Sequence, residues 1–406
     1  MKLLLVHRYI RPDTSGYAHM LYLMGRRFAA DGHDVTIFSA QPGYNNTYDG
    51  PALPTRQEVD GMTVIRIPLL KETKKTLIRR CLNVLIFSVR LLLHSVSQRK
   101  AYDLLTVSTF PPVLFAAVAR WICFFRKTRY IYHCMDLYPE VAQANQMLPP
   151  GMLSKIARWV DVRNCKKAAA VVVLSEEMKS TLERRDLSTA NVRVINNFVI
   201  DEVDPEVEVP EALRSKKDHF RVVFAGNMGR FQSLETLVDA ALSLQSYDDI
   251  QFLFIGAGVM YDELQKRVEE RAGRNIAFHP FVPIQVAMSV MSQSELGVVS
   301  LAPRIIQCAY PSKTMSYLEA GCQILAIVEP STLATFIKDE HLGDACQPNS
   351  AQAAADAIKV CYDSWKNQTV DRQQIRKIGR LHFSQKTILG KWTELLGEFI
   401  PADSSR

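Results

Sequence analysis

Residues 309–321 read AYPSKTMSYLEAG and follow the apolar run 296–301. Together they have the pattern of a buried strand, a short loop and a short helix. Pro311 and Ser312 give a helix start, with Ser312 as the expected N-cap. Lys313 adds a positive charge where free backbone N–H groups and the helix dipole already favour an anion. Glu319 lies seven residues after Ser312. At about 100° per residue the two project from nearly the same face, about 10 Å apart along the axis. One end would hold a diphosphate, and the carboxylate two turns on would take a sugar diol. The competing reading is an ordinary amphipathic helix with a solvated Lys and Glu, and the rest of the chain has to choose.

Working outward, the same alternation fills the sequence. Short apolar runs at 2–7, 34–39, 63–67, 104–107, 130–133, 170–174 and 192–195 read as strands, with helices at 19–31, 77–98 and 112–125. A second series has strands at 221–225, 251–255, 276–278, 296–301 and 324–328, and helices at 234–244 and 262–271. Apolar strands alternating with amphipathic helices give parallel sheets of the α/β class. Between the two series, IDEVDPEVEVPEALRSKKD (200–218) is acidic, contains proline and lacks an apolar period. It is the linker candidate, over 201–218. The expectation is an N-terminal domain over 1–200, a C-terminal domain over 219–385 and a closing amphipathic helix over 386–406. Ligands of such sheets sit beyond the carboxyl ends of the strands, so the expected site is a cleft between two Rossmann-like domains.

Composition removes several classes. With 406 residues, 48% of them apolar and 22% charged, the chain can fill two cores of its own. Eight cysteines are scattered with no CxxC pair and no His/Cys cluster at zinc spacing, which argues against structural disulfides and zinc. Met1-Lys2 runs straight into LLLV, too short for a signal core, so a cytoplasmic location is expected. The net charge of +7 hides an asymmetry: residues 1–200 carry 28 Lys+Arg against 15 Asp+Glu, and residues 201–406 carry 21 against 27. The excess is densest at 71–100, with eight basic residues and one acid. Within it, 77–96 is apolar but interrupted by Arg79, Arg80, Arg90 and His94. A basic amphipathic helix lying on an anionic bilayer fits this better than a spanning one. A domain-surface helix with arginines on its wet face is the alternative. Neither an RNA-binding signature nor a helix-turn-helix pattern accompanies the excess, so nucleic acid is not an expected partner.

Several strand ends carry small and polar residues suited to phosphate or sugar. HRYIRPDTSGYAH (7–19) puts Ser15 and Gly16 ahead of a helix. RVVFA (221–225) runs into GNMGRFQSLETL, with Gly226, Asn227 and Gly229 before a helix and Arg230 beside them. QFLFI (251–255) runs into GAGVM, with Gly256 and Gly258. Such glycines also occur simply because strand-to-helix turns need them. Neither loop completes GxGxxG, and there is no Walker loop, which sets aside dehydrogenases and P-loop enzymes.

In order and spacing, a set of segments resembles the GT-B nucleotide-sugar glycosyltransferases of family 4 over nearly the full length. These are Gly16 within TSGYAHMLYLMGRRFAADGHDVTIFSA, YHCMDLYPE (132–140), VINNFV (194–199), FAGNMGRFQSLETLVDAA (224–241), FIGAG (254–258), FVP (281–283) and YPSKTMSYLEAG (310–321). The likeness is to the bacterial branch that adds amino sugars during O-antigen, capsule or exopolysaccharide assembly. It implies two Rossmann-like domains facing a cleft, with the C-terminal helix crossing back to the N-terminal domain. The implied activity moves an N-acetylated amino or deoxyamino sugar from a UDP-linked donor to a lipid-linked saccharide acceptor. It would act at the inner face of the cytoplasmic membrane, without a metal and with retention.

The resemblance also assigns residues. It gives Glu319 the ribose hydroxyls, a task suited to a carboxylate because a vicinal diol offers two donors. Arg230 and Lys313 meet the diphosphate, with Asn227 in the usual place of a family arginine. Gly226, Gly256, Val282 and Ser312 complete the nucleotide site, and Gly16 touches phosphate or donor sugar from the other domain. Cationic stabilisation of the departing diphosphate is the main catalytic need. His133 is assigned to the donor sugar or transferring centre, and Asp136 and Glu140 to acceptor hydroxyls or a base. A base at Asp136 would make the reaction inverting. The chain departs from the pattern at Pro311, where many relatives have a first glutamate, and at Gln232, where a second basic residue is usual. Asn and Gln do not replace Arg and Lys at a phosphate. A UDP-sugar 2-epimerase on the same architecture and a non-catalytic nucleotide-sugar-binding subunit are the alternatives.

Overall fold

Leu3, Leu4, Leu5 and Val6 are all buried, as in a strand covered on both faces, and they form the centre of the first sheet. The computed structural model describes residues 1–43, 48, 50–71, 77–109, 112–144, 147–200, 202–204, 206–216 and 218–400. The chain divides into two units: Met1–Gln143, Leu148–Asn196 and Ile388–Arg406 in the first, Ala144–Met147 and Asn197–Thr387 in the second.

The first series of elements runs β1 (Lys2–Val6), α1 (Gly16–Ala30), β2 (Asp34–Ala40), β3 (Arg56–Val59), β4 (Met62–Ile67), α2 (Leu77–Ser97), β5 (Leu104–Ser108), α3 (Leu114–Arg126), β6 (Arg129–His133), α4 (Glu140–Ala144), α5 (Met152–Lys167), β7 (Ala170–Val173), α6 (Glu176–Glu183) and β8 (Val192–Val194). The sheet order is β3-β4-β2-β1-β5-β6-β7-β8. All neighbours pair in parallel except β3 with β4. The step from β1 to β2 and the step from β4 to β5 run in opposite directions along the sheet. Right-handed crossovers therefore put α1 on one face and α2 and its successors on the other. Phe87 of α2 is fully buried; it stacks on Phe115 of α3 at 4.5 Å and meets Phe38 of β2 edge-on at 5.3 Å. Strand β3 has no apolar run, so strand periodicity does not reveal it. The available signal is Asp60-Gly61, both at positive φ (47° and 77°), the two-residue turn of a tight hairpin.

The second series is β9 (Phe220–Ala225), α7 (Leu234–Ser243), β10 (Ile250–Ile255), α8 (Tyr261–Glu270), β11 (Ile276–His279), α9 (Ile284–Ser292), β12 (Leu296–Ser300), α10 (Lys313–Ala320), β13 (Gln323–Ile327), α11 (Thr332–Asp339), β14 (Gly343–Cys346), α12 (Ala351–Lys366), α13 (Arg372–Phe383) and α14 (Gln385–Gly397). Its sheet, β11-β10-β9-β12-β13-β14, is parallel throughout. Phe224, Phe254 and Phe278 form an aromatic row across three strands, the last two stacked at 4.9 Å. Within 202–216, in the stretch read as a linker, Val209 and Leu213 are buried. Arg221 donates to the Leu213 carbonyl at 2.6 Å and to that of Arg214. This stretch is therefore packed onto the second unit; its anchors are too sparse to show as a period. Asp201, Pro205 and Lys217 of that stretch, Lys74 and Lys75 of the basic run, and residues 401–406 of the closing segment lie outside the described residues.

Candidate functional site

The parallel pairing of β9 with β10 does not stop at the strand ends. Gly226 N–H donates to the Ile255 carbonyl at 2.8 Å, Met228 N–H to that of Ala257 at 2.9 Å, and Met260 N–H to that of Met228 at 3.0 Å. The loops GNMG and GAG thus run backbone against backbone. A Cβ on Gly256 would stand 1.9 Å from the Gly226 carbonyl oxygen, and both residues have φ values, +144° and +133°, that L side chains rarely adopt.

Lys313, the first residue of α10, lies over this pair. A Cβ on Gly226 would meet its Cε at 2.6 Å, so glycine there leaves room for the lysine stem. The ammonium stands 4.8 Å from the centre of the Phe224 ring, and burial lowers its pKa to about 8. Among the described residues no carboxylate pairs with it. Tyr317, one turn on, fixes the helix. Its hydroxyl accepts from Ala225 N–H at 3.1 Å, and its ring fills the space a Cβ on Gly297 would occupy.

Around Lys313 the expected ligands fall out unevenly. Arg230 is exposed in a short 3-10 turn and forms no ion pair among the described residues. Asn227 is exposed on the same loop. Gln232 braces that loop, its Oε1 accepting from Gly229 N–H at 2.9 Å. Val282 is half-buried between β11 and α9, and among the described residues its peptide group has no hydrogen-bond partner. Ser312 is the residue before the helix, but its backbone is already helical and its hydroxyl makes no capping bond. The N–H groups of Thr314 and Met315 are taken by the carbonyls of Pro311 and Ser312, at 3.2 Å each. The helix start offers fewer free donors than the sequence suggests.

Glu319, expected to take a sugar diol two turns from the phosphate end, faces away from Lys313. Six residues at about 100° each leave the two about 120° apart around the axis. The Glu319 carboxylate is buried, and both its oxygens accept from Arg380 of α13, at 3.0 Å and 2.5 Å. Arg376 donates to the carbonyls of Glu319 and Ala320 at 3.2 Å and 3.0 Å. The carboxylate ties α10 to α13. The sequence reading counted from Ser312, whereas the charge that matters starts from Lys313. Half-buried Ser316, three residues on, is the polar residue sharing the Lys313 face.

In the first unit, polar residues gather at the carboxyl ends of β1, β5 and β6. Helix α1 starts at Gly16, three residues earlier than periodicity indicated, because the Ser15 hydroxyl caps it by accepting from Ala18 N–H at 3.2 Å. Tyr17 follows; its hydroxyl lies 3.0 Å from His133 Nδ1, and its ring 4.5 Å from that of His7. His7 Nδ1 in turn meets Ser108 Oγ at 2.6 Å. The His133 ring is buried against Trp392, 4.9 Å between centroids, and burial lowers its pKa to about 3. It is a neutral, packed ring, buried in the fold, whose Nε2 has no hydrogen-bond partner among the described residues; the resemblance assigned this ring to the donor sugar or transferring centre. Asp136 is only half-buried by its neighbours, yet desolvation raises its pKa to about 6. Glu140 is committed elsewhere: it pairs with Arg185 and, at 3.2 Å, with Arg158. Arg185 also holds Asp161 at 2.6 Å, and Tyr132 donates to Asp161 at 2.8 Å. This buried network has no local sequence signal, because its members come from β6, α4, α5 and the turn after α6.

The solved structure of Anabaena Alr3699/HepE in complex with UDP has the same fold, with a TM-score of 0.70 at 14% identity over 98% of this chain and 100% of that one. The glycosyl transferase 4-like domain family matches residues 15–197, and the glycosyl transferases group 1 family matches residues 219–364. The chain belongs to the GT-B glycosyltransferases. Among relatives of this glycosyltransferase is a protein named for colanic acid biosynthesis, WcaI of Escherichia coli strain K12. It is 21% identical over 393 residues, which span 92% of this chain and 95% of WcaI. The alpha-D-kanosaminyltransferase of Streptomyces kanamyceticus is 26% identical over 164 residues, 36% of this chain and 42% of that protein.

Proposed function

We propose that this glycosyltransferase moves an N-acetylated amino or deoxyamino sugar from a UDP-linked donor to a lipid-linked saccharide acceptor in bacterial surface polysaccharide synthesis. The carrying observation is Lys313: a desolvated ammonium with no carboxylate partner among the described residues, lying on two backbone-paired glycine loops. Lys313 is half-buried; a cation partly withdrawn from water without a counter-charge is costly, and a diphosphate supplies that charge. Arg230, exposed four residues after Gly226, is assigned as the second cation for a ligand's phosphates. The half-buried Val282 peptide offers one donor and one acceptor, matching the adjacent N3–H and O4 of uracil.

In this reading the bond between the donor's anomeric carbon and its phosphate oxygen breaks as an acceptor hydroxyl oxygen bonds to that carbon. Lys313 and Arg230 stabilise the charge gathering on the departing diphosphate. The hydroxyl proton passes to that diphosphate, with Asp136 orienting the acceptor and configuration retained. The two cations supply the charge a metal would otherwise bring, so transfer is taken to be metal-independent. The HepE complex with UDP, the naming of WcaI for colanic acid and the kanosaminyl relative support the choices of nucleotide, pathway class and sugar class. Helix α2, with exposed Arg79, Arg80 and Arg90, supports a peripheral place on the cytoplasmic face of an anionic membrane. Thermal-shift measurements over a panel of nucleotides and nucleotide-sugars test the donor. UDP-linked sugars should raise the melting temperature of the parent protein and not of Lys313→Met. Equal shifts in both would end this reading.

A further inference from the structure

We infer that α2, α3 and α5 of the first unit form one docking face for an anionic lipid bilayer, with Trp121, Phe124 and Phe125 as its inserted centre. This rests on the reading of α2 as a lipid contact and extends it to two helices that the sequence did not single out.

The centre lies on α3. Trp121, Phe124 and Phe125 are 53%, 72% and 61% exposed, and they pack on each other. The Trp121 and Phe125 rings stack at 6.0 Å, and Phe124 meets Phe125 edge-on at 5.4 Å. The inner face of the same helix is already satisfied by buried Phe115, Ala119 and Ile122. Water-soluble surfaces scatter such side chains singly, and a contiguous aromatic patch marks a contact surface. The patch continues on both flanks. Helix α2 packs on α3, and α3 on α5. From α2, Leu85, Val89 and Leu93 face outward, and from α5, Leu153, Ile156 and Trp159.

Charge selects the occupant. Helices α2, α3 and α5 together hold ten Lys and Arg and one acid, Asp161. That acid is buried in its pair with Arg185. A second copy of this chain on the same face would set positive against positive. A neutral apolar partner would leave the basic rim unanswered. A bilayer carrying anionic headgroups over an acyl layer meets both parts, and aromatic side chains are favoured at that boundary. The Arg163 guanidinium lies 3.4 Å from the centre of the Trp159 ring, so a basic head and an aromatic body share one position at the rim. Helix α2 is long and apolar enough to cross a membrane, but Phe87 and Leu91 are fully buried on the unit. It lies along the face.

The test uses the full chain, vesicles containing phosphatidylglycerol, and vesicles of phosphatidylcholine alone. The parent protein should sediment with the anionic vesicles and weakly with the neutral ones. Tails brominated near the headgroup should quench its tryptophan emission, and quenching should be lost in W121F/W159F. The combined Trp121→Ser, Phe124→Ser and Phe125→Ser variant should bind anionic vesicles at least about tenfold more weakly. R79E/R80E should lose a similar factor. Unliganded melting temperatures within a few degrees of the parent show that the variants fold, and UDP-induced shifts report the donor site separately. Unchanged vesicle binding by the triple-serine variant would overturn the inference and leave the nucleotide reading standing. Dimerisation of the parent that this variant abolishes, read by light scattering without vesicles, would also overturn it, assigning the face to a second copy.

Discussion

Removing Arg380 should destabilise this glycosyltransferase and leave the proposed UDP site intact. The Glu319 side chain is 3% exposed and that of Arg380 is 57% exposed. Stripping one partner from a fully buried ion pair costs about 3–5 kcal/mol, because the other charge is left uncompensated. Here water reaches the guanidinium, so a discounted figure of about 2–3 kcal/mol applies to Arg380→Met. For a unit of about 200 residues melting on its own, as the second unit would, that lowers the melting temperature by about 5–10 °C. Glu319→Met frees an exposed arginine instead of a buried carboxylate and should cost less. The double variant leaves no orphaned charge and should recover to within about 1 kcal/mol of the parent. Thermal melts give the stabilities, and isothermal titration gives the UDP affinity, expected to stay within about threefold in all three variants. Two results would refute the reasoning. A double variant as unstable as the sum of its parts would mean that the pair is no tie. A loss of UDP affinity of about tenfold in Glu319→Met alone would mean that the carboxylate leaves Arg380 for the ribose.

Lys313 has its pKa held near 8 by burial, so its ammonium is charged below that pH and neutral above it. UDP affinity should therefore fall as pH rises through about 8, by up to about tenfold, and Lys313→Met should flatten the profile in titrations at constant ionic strength. Asp136, raised to about 6, carries a stability contribution present below the unfolded pKa and lost as pH rises through the folded one. Asp136→Asn should stabilise the chain by up to about 2–3 kcal/mol at pH 8 and change little at pH 4; equal melting temperatures at pH 8 would count against the burial seen. Gly226→Ala places a Cβ 2.6 Å from Lys313 Cε at φ +133°. A loss of about 1–3 kcal/mol together with weaker UDP binding is expected, whereas exposed Asn227→Ala should leave the melting temperature unaltered.

The buried strands were legible because parallel sheets covered on both faces demand uninterrupted apolar runs such as KLLLV and RVVFA. Polar RQEV at β3 obeys no such demand, since it forms an exposed edge. The glycine loops and Lys313 were legible because close backbone approach and a helix start have residue-level signatures. Glu319 was legible as a carboxylate two turns along α10, but its partner Arg380 was not, because it lies 61 residues further along the chain. His133 stands at the mouth of a strand, as a site residue would, but Trp392 from the far end of the chain covers it. Arg185, Asp161 and Glu140 were illegible for the same reason. Each has ordinary neighbours, and only the tertiary fold makes them a cluster.

The pairing of the GNMG and GAG loops bears on how readily this enzyme can acquire new donors. Their shape is set by main-chain bonds and by what the glycines lack, so it is largely independent of the side chains they display. Asn227 and Val259 are exposed on these loops and can drift or be randomised while the ridge beneath them keeps its outline. In the proposed donor site, substitutions at those two positions then carry little folding penalty, and a library over them tests whether the ridge governs donor preference.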